Sequence, residues 1–284
     1  MIRLIGAELF KLRKRTMTRV LLYVLIGIIV VLYFLLLAIS NVNLPNVGQH
    51  MENIPNLLGL PLALPFALYI LSSFGSVLVI ILLASVIGSE YNWRTIRTAV
   101  VSSESRFKLL TAKLISVTIL VLIGMLIGLA AGFIMSLITT AIGGYKFDFS
   151  FATGSYLWDQ FVQFWRTFYI LMPYAVLGFL FAIVGRSAMP GISLGIGFFF
   201  LESIITTFMS LAGGWIARIP EYLLLANVRA ISSLTELPQS FGAGMGAMGI
   251  KLPGETHAFI TIAIYSIAFL SIAFYLFRKR DVTG

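Results

Sequence analysis

Glu202, in the run FFFLESIITTF, is the only acid set well inside a long apolar stretch of this sequence. A carboxylate in a membrane costs about 2.5–3.5 kcal/mol to insert, so it needs a partner or a purpose. Two readings are open. In one, Glu202 lines a pathway or a dimer interface, with Ser203, Thr206 and Thr207 adding polarity. In the other, its carboxyl bonds a neighbouring helix and serves packing. Other chemistry is scarce. With no cysteine, disulfides, thiolate metal sites and cysteine nucleophiles are excluded. His50 and His257 stand far apart, and no His pair, paired carboxylates or Ser–His arrangement points to an intramembrane enzyme. No catalytic residue and no metal site is therefore expected. The run GAGMGAMG meets the dinucleotide spacing at Gly244, Gly246 and Gly249, but no strand precedes it and no parallel-sheet unit fits, so it reads as a loop.

The second chemical feature is the stretch IGSEYNWRTIRTAVVSSESRFKLLTAK, residues 87–113, which interrupts the apolar runs with Arg94, Arg97, Arg106, Lys108 and Lys113. Read as a helix, 90–101 starts after Ser89 as a cap, with Glu90 in the first turn where the helix dipole favours an acid. Trp93, Ile96 and Val100 then share one face. Ser103 caps a second helix that carries Glu104 and runs through Arg106, Lys108 and Lys113 into the next apolar run. A solvated loop that only supplies charge has no use for Trp93 and Ile96 on one face. An aromatic and aliphatic stripe rimmed by Arg is what a protein-binding surface uses.

The elements that must carry these features are membrane spans. The chain is 59% hydrophobic and 11% charged over 284 residues, whereas a soluble domain carries roughly 25% charged residues. Six runs reach the roughly 20 residues that cross about 30 Å of hydrocarbon, at approximately 20–39, 65–88, 113–140, 168–187, 190–210 and 258–277. Each must be helical, since a lone strand in lipid leaves its backbone unpaired. The fold class expected is an all-α integral membrane protein, a single transmembrane domain over 1–284 with six transmembrane helices. The first run lacks a small-residue cleavage site and reads as a retained span rather than a signal peptide.

Charge sets the orientation. Fifteen of the twenty Lys and Arg fall in 1–19, 89–113, the turn at Arg186 and 278–284, which the positive-inside rule places in the cytoplasm together with both termini. The formal net charge of +9 then reflects topology and contact with an anionic lipid bilayer, not nucleic acid. Residues 1–19 read as an amphipathic interfacial helix, with Ile2, Ile5, Leu9 and Leu12 against Arg3, Glu8, Lys11, Lys14 and Arg15. Residues 55–65 carry three prolines, so the approach to the second span should be irregular or re-entrant. Gly124, Gly128 and Gly132 repeat every four residues in the third span, a small-xxx-small face for close helix packing. The segment 211–257 reads as an extracytoplasmic loop with pieces such as Trp215, Ile216, Tyr222 and Leu223–Leu225 at the interface.

In its layout the chain resembles the permease subunits of type-2 ABC exporters. The resemblance rests on a basic amphipathic start, a span ending in GSEYNWRT, then SRFKLLTAK leading into the third span, and the closing FRKRDV. Gly88, Glu90, Thr95, Ser105, Arg106 and Lys113 match the loose family pattern, and the Gly that usually precedes the Thr is Arg94 here. This resemblance implies a six-helix half-transporter in the cell membrane, a bacterial inner or plasma membrane. It would pair with a second permease chain, the same or a related one. Residues 90–101 would couple it to a cytoplasmic ABC ATPase subunit, with Glu90, Trp93, Arg94, Ile96, Arg97, Val100 and Arg106 at the contact and Arg186, in VGRSAMP, at a second, smaller one. The chain has no G-x-x-x-x-G-K-[ST] loop, so ATP and Mg would belong to the partner, and none would bind here. Two other classes stay in view: an ion- or proton-coupled carrier using Glu202, and a membrane anchor for a cytoplasmic partner.

Overall fold

The computed structural model describes residues 1–40, 58–92, 106–144, 147–212, 214–234 and 252–279, with the side chains of Asn92 and Arg106 outside that description. Among these residues the regular structure is helical: α1 (Ile2–Lys14), α2 (Thr16–Ser40), α3 (Ala63–Asn92), α4 (Arg106–Ile142), α5 (Gly154–Gly185), α6 (Ala188–Ala212), α7 (Leu224–Ser232) and α8 (Glu255–Lys279). Short 3-10 turns at Leu60–Leu62 and Ile216–Tyr222 precede α3 and α7. Six of the helices, α2 to α6 and α8, are long and apolar enough to cross a membrane. Five contain one of the runs expected above, and α5 contains the sixth but for its last two residues, Arg186 and Ser187, which form a turn.

The α4 helix is 37 residues long and α5 is 32, about 55 and 48 Å at 1.5 Å per residue, so both exceed the hydrocarbon thickness. α5 starts 14 residues before the apolar run at 168–187. Asp159, Gln160, Gln163 and Arg166 interrupt the hydropathy there, yet the backbone is helical from a Thr153 cap that accepts from the Tyr156 N–H at 3.3 Å. Gln160, Gln163 and Thr167 face inward over these turns, and Gln163 Nε2 donates to the Leu234 carbonyl at 2.6 Å. Trp158, Phe161 and Trp165 line the opposite, exposed face.

α3 is the axis of the bundle. It packs against α5 and α6 on one side and α2 and α4 on the other, while α8 lies against α5 and α7. The α3–α5–α6 side is closed by glycines around Ile80. A Cβ on Gly178 would lie 2.6 Å from the Ile80 carbonyl oxygen, and one on Gly195 would lie 2.5 Å from Ile80 Cγ2. The expected glycine face of α4 is realised in part. Gly132 and Gly128 meet α3 at Ala67 and Leu71, so both pack closely, whereas a Cβ on Gly124 would touch nothing within 4 Å. Gly124 instead borders an apolar groove of about 110 Å³ between α2, α3 and α4, closed at the back by Leu171 of α5. These contrasts make a prediction. Gly178→Ala should destabilise the protein by about 1–3 kcal/mol, because the obstructing atom is backbone, and Gly124→Ala should be neutral or mildly stabilising. Melting of the two variants in one detergent checks both.

The proline-rich approach to the second span is irregular, as expected, over its described part. Pro61 lies in the 3-10 turn, and the Leu58 carbonyl accepts from the Ser136 hydroxyl at 2.8 Å. Pro65 falls within the first turn of α3, where no intrahelical donor is lost.

Candidate functional site

Two places gather polar side chains inside an apolar bundle. The first is at the end of the bundle where α1 lies, and it is built by α1, α3 and α4. Lys113 of α4, 2% exposed, places its Nζ 2.6 Å from Glu90 Oε1 and 2.9 Å from Glu8 Oε2. Lys11 reaches the same two carboxylates at 3.0 and 3.4 Å. Arg15 adds a guanidinium 3.7 Å from Glu90 Oε1, and its Nη1 donates to the Ser89 hydroxyl at 2.8 Å and to the Val86 carbonyl at 3.2 Å. Three cations thus enclose two buried carboxylates. Burial disfavours the Lys11 ammonium, but the Glu90 and Glu8 carboxylates outweigh it and hold its pKa above the ordinary lysine value.

This arrangement corrects two expectations. Glu90 does not open a new helix after a Ser89 cap. α3 continues through Asn92, and Glu90 is 1% exposed on its inward face. The Ser89 hydroxyl is engaged with Arg15 and Val86, so it is not free to cap the backbone ahead of it. Glu90 is therefore a link between helices and not a surface contact. The N-terminal helix also turns differently from its apolar pattern. Glu8 and Leu12 are its buried residues, with Ile5 and Leu9 partly covered, while Ile2 and Phe10 lie exposed. Lys113 draws Glu8 inward, and Ser116 extends the contact by donating to the Ile5 carbonyl at 3.3 Å.

Of the other expected contact residues, Trp93, Arg94, Ile96, Arg97 and Val100 lie outside the described residues, as does the side chain of Arg106. Arg186 is described. It is exposed, and it turns the chain from α5 into α6 in the left-handed conformation at φ 51°. That turn is adjacent to the end of α3, since a Cβ on Gly88 would run into the backbone of Ser187 and Ala188. The structure thus brings the Arg186 turn and the helix leading to residue 93 together.

The second place is in the opposite half of the bundle, around Glu202. On α6, Gly191, Gly195, Glu202 and Thr206 face inward, while Leu194, Leu201, Ile204 and Phe208 face outward. Neither Glu202 nor Thr206 is on the outward face of α6, where a second chain would lie against that helix. Glu202 Oε1 instead accepts the Leu225 backbone N–H at 2.9 Å. This bond has a local cause. α7 begins after Leu223, which has no side-chain oxygen to cap it, so Glu202 of α6 supplies the missing acceptor at the helix N-terminus. α7 itself is buried along Leu224, Leu225, Ala226 and Asn227 and tied down at several points. Asn227 Nδ2 donates to the Leu223 and Glu221 carbonyls, its Oδ1 is 3.2 Å from His257 Nδ1, and Arg229 donates to the Ser203 hydroxyl at 3.4 Å. Of the residues expected at the interface, Leu224 and Leu225 are buried within the bundle and Leu223 is half-buried, whereas Trp215 and Tyr222 are exposed. Glu202 Oε2 and the hydroxyls of Tyr174 and Thr206 are buried without a hydrogen-bond partner within the described residues. Sequence reading singled out Glu202 and Thr206 but missed Tyr174, which sits among ordinary aromatic span residues.

The family model described as "Protein of unknown function (DUF2705)" matches residues 62–283, which takes in α3 to α8. The chain is also 25% identical over 213 residues to the "Uncharacterized protein YhcI" of Bacillus subtilis (strain 168). That match takes in 72% of this chain and 64% of the relative, so the chain spans just under two thirds of the length of the curated relative it matches.

Proposed function

We propose, on the premise that the chain belongs to the DUF2705 family, that it is the membrane permease subunit of an ATP-driven exporter, working as a dimer with separate ATP-binding subunits. The observation that carries this reading is the ion-pair cluster of Lys113, Glu90, Glu8, Lys11 and Arg15. It joins the two helices that bound residues 93–105 to each other and to α1. A short charged segment mounted on such a buried anchor transmits a push from a docked protein into α3 and α4 rather than dissipating it. The Arg186 turn lies against Gly88 near the end of α3, which supports a second, smaller contact there. In this reading the α1 end of the bundle is cytoplasmic, in keeping with fifteen of twenty basic residues on that side. ATP and Mg belong to the partner.

The test is purification of the tagged chain from its native membranes in mild detergent, with Trp93→Glu alongside. A copurifying protein that carries a phosphate loop and hydrolyses ATP is expected with the wild type and absent from the variant. Both samples should elute as folded species. A wild-type preparation that brings down no ATPase would sink the proposal.

A second reading, a proton- or ion-coupled carrier, draws on the unpartnered Glu202 Oε2, Tyr174 and Thr206 atoms. The engagement of Glu202 Oε1 at the N-terminus of α7 weighs toward a packing role.

A further inference from the structure

We propose that the groove between α2, α3 and α4 binds one acyl chain of an anionic phospholipid, with the headgroup held by basic residues at the α1–α2 junction. This inference stands apart from the permease reading, because nothing in it requires a partner chain or transport.

The groove differs from the rest of the lipid-facing surface by being recessed. Four helices bound it, and every lining residue is apolar or glycine except Thr18. It follows α3 from Leu71 to Leu82, about 16 Å along the axis, which suits an extended hydrocarbon chain. Its depth depends on missing side chains. Gly124 opens its α4 wall, since a Cβ there would touch nothing within 4 Å, and Gly75 opens its α3 wall, where a Cβ would lie 3.2 Å from Leu171 Cδ2. An apolar recess open to lipid takes up the flexible chain beside it rather than staying empty.

Charge identifies the headgroup. The lone polar lining residue, Thr18, lies in the first turn of α2, next to Arg19 and just past Lys14 and Arg15, where the chain turns out of α1. Residues 1–19 hold six Lys and Arg against one acid, Glu8, and Glu8 is already neutralised by Lys113 and Lys11. Arg15 is engaged with Glu90, but Lys14 and Arg19 are exposed, with Lys14 over the Phe10 ring and Arg19 donating to the Arg13 carbonyl, so each keeps its charge for a ligand. A phosphodiester at the level of Thr18 meets this uncompensated positive field, which a zwitterionic headgroup satisfies less well.

Native mass spectrometry of the delipidated full chain tests this. The probes are phosphatidylglycerol, phosphatidylcholine of the same chains, and glycerophosphoglycerol, which has the head without the tails. Wild type should retain phosphatidylglycerol about tenfold more tightly than phosphatidylcholine and should not retain the chainless headgroup. Gly124→Leu fills the groove and should lower phosphatidylglycerol retention at least fivefold, while melting no lower than wild type. Lys14→Gln with Arg19→Gln leaves the groove intact and should bring the two lipids to equal retention. Equal binding of both lipids by wild type would overturn the proposal, as would undiminished binding by a folded Gly124→Leu. Should Gly124→Leu fail to fold, an unchanged lipid preference in the charge variant is decisive on its own. Tight retention of glycerophosphoglycerol would reassign the site to a soluble anion.

Discussion

Replacing Lys113 with methionine should destabilise the protein by about 3–5 kcal/mol, the largest single-residue effect expected here. Methionine keeps the length and packing of the lysine stem, so the loss is electrostatic. Glu90 and Glu8, 1% and 6% exposed, would lose the cation that touches both at 2.6 and 2.9 Å, while Lys11 is half-exposed and Arg15 stands 3.7 Å from Glu90. Removing one member of a buried ion pair strands the other in a low dielectric, which is why the cost exceeds what the pair contributes when whole. The variant Lys113→Met with Glu90→Gln and Glu8→Gln should recover part of that loss, since no buried carboxylate is then left short of a cation, while Lys11 is half-exposed to solvent and Arg15 keeps its bonds to the Ser89 hydroxyl and the Val86 carbonyl. Reversible unfolding in mixed micelles, or melting in a fixed detergent, measures both. A single variant as stable as wild type, or a triple variant no better than the single, would show that the cluster does not act as one unit.

The second large effect is expected at Glu202 and depends on which atom is removed. Glu202→Leu deletes the acceptor for the Leu225 N–H at a buried helix N-terminus. It should cost about 1–3 kcal/mol, the price of an unsatisfied buried donor. Hydrogen exchange should then speed up across Leu224–Ser232 more than elsewhere. Glu202→Gln keeps a side-chain carbonyl at the same place and should leave that protection nearly intact. This pair also separates the two readings of the residue. A Gln variant with normal protection but no activity would mean that the ionisable group has work beyond capping, whereas unaltered exchange in the Leu variant would remove the capping account.

What could be read ahead of the structure followed from long-range composition. Twenty apolar residues in a row admit few folds in lipid, so the six long apolar helices and their order were legible. So was the irregular approach at Pro61, because a missing donor is a local fact. The errors arose where a local signal competed with a distant partner. Ser89 followed by Glu90 reads as a cap and a first-turn acid, but Lys113, Lys11 and Arg15 draw Glu90 inward and α3 runs on. Glu8 and Lys113 are 105 positions apart, and no periodicity links them. The early start of α5 was hidden because Gln160 and Gln163 are buried against the protein, Gln163 bonding the Leu234 carbonyl, whereas a hydropathy scan scores both as exposed to water. α7 is only nine residues long and apolar along most of them, so the same residues read as readily as a piece lying at the interface. Glu202 was visible as an anomaly, but its bond to the Leu225 N–H was not, because Leu223's lack of a capping oxygen gains meaning only once α6 lies beside it.

The glycines around Ile80 have a mechanical consequence. Sliding α5 along α3 by one residue would bring Leu177 or Phe179 toward the space that Gly178 leaves against the Ile80 carbonyl, and neither has room there. A similar obstacle holds α6 at Gly195. The two contacts act as a registration pin that fixes three helices as one strut, so strain applied at the far tip of α3 must be carried along its length instead of being relieved by slippage.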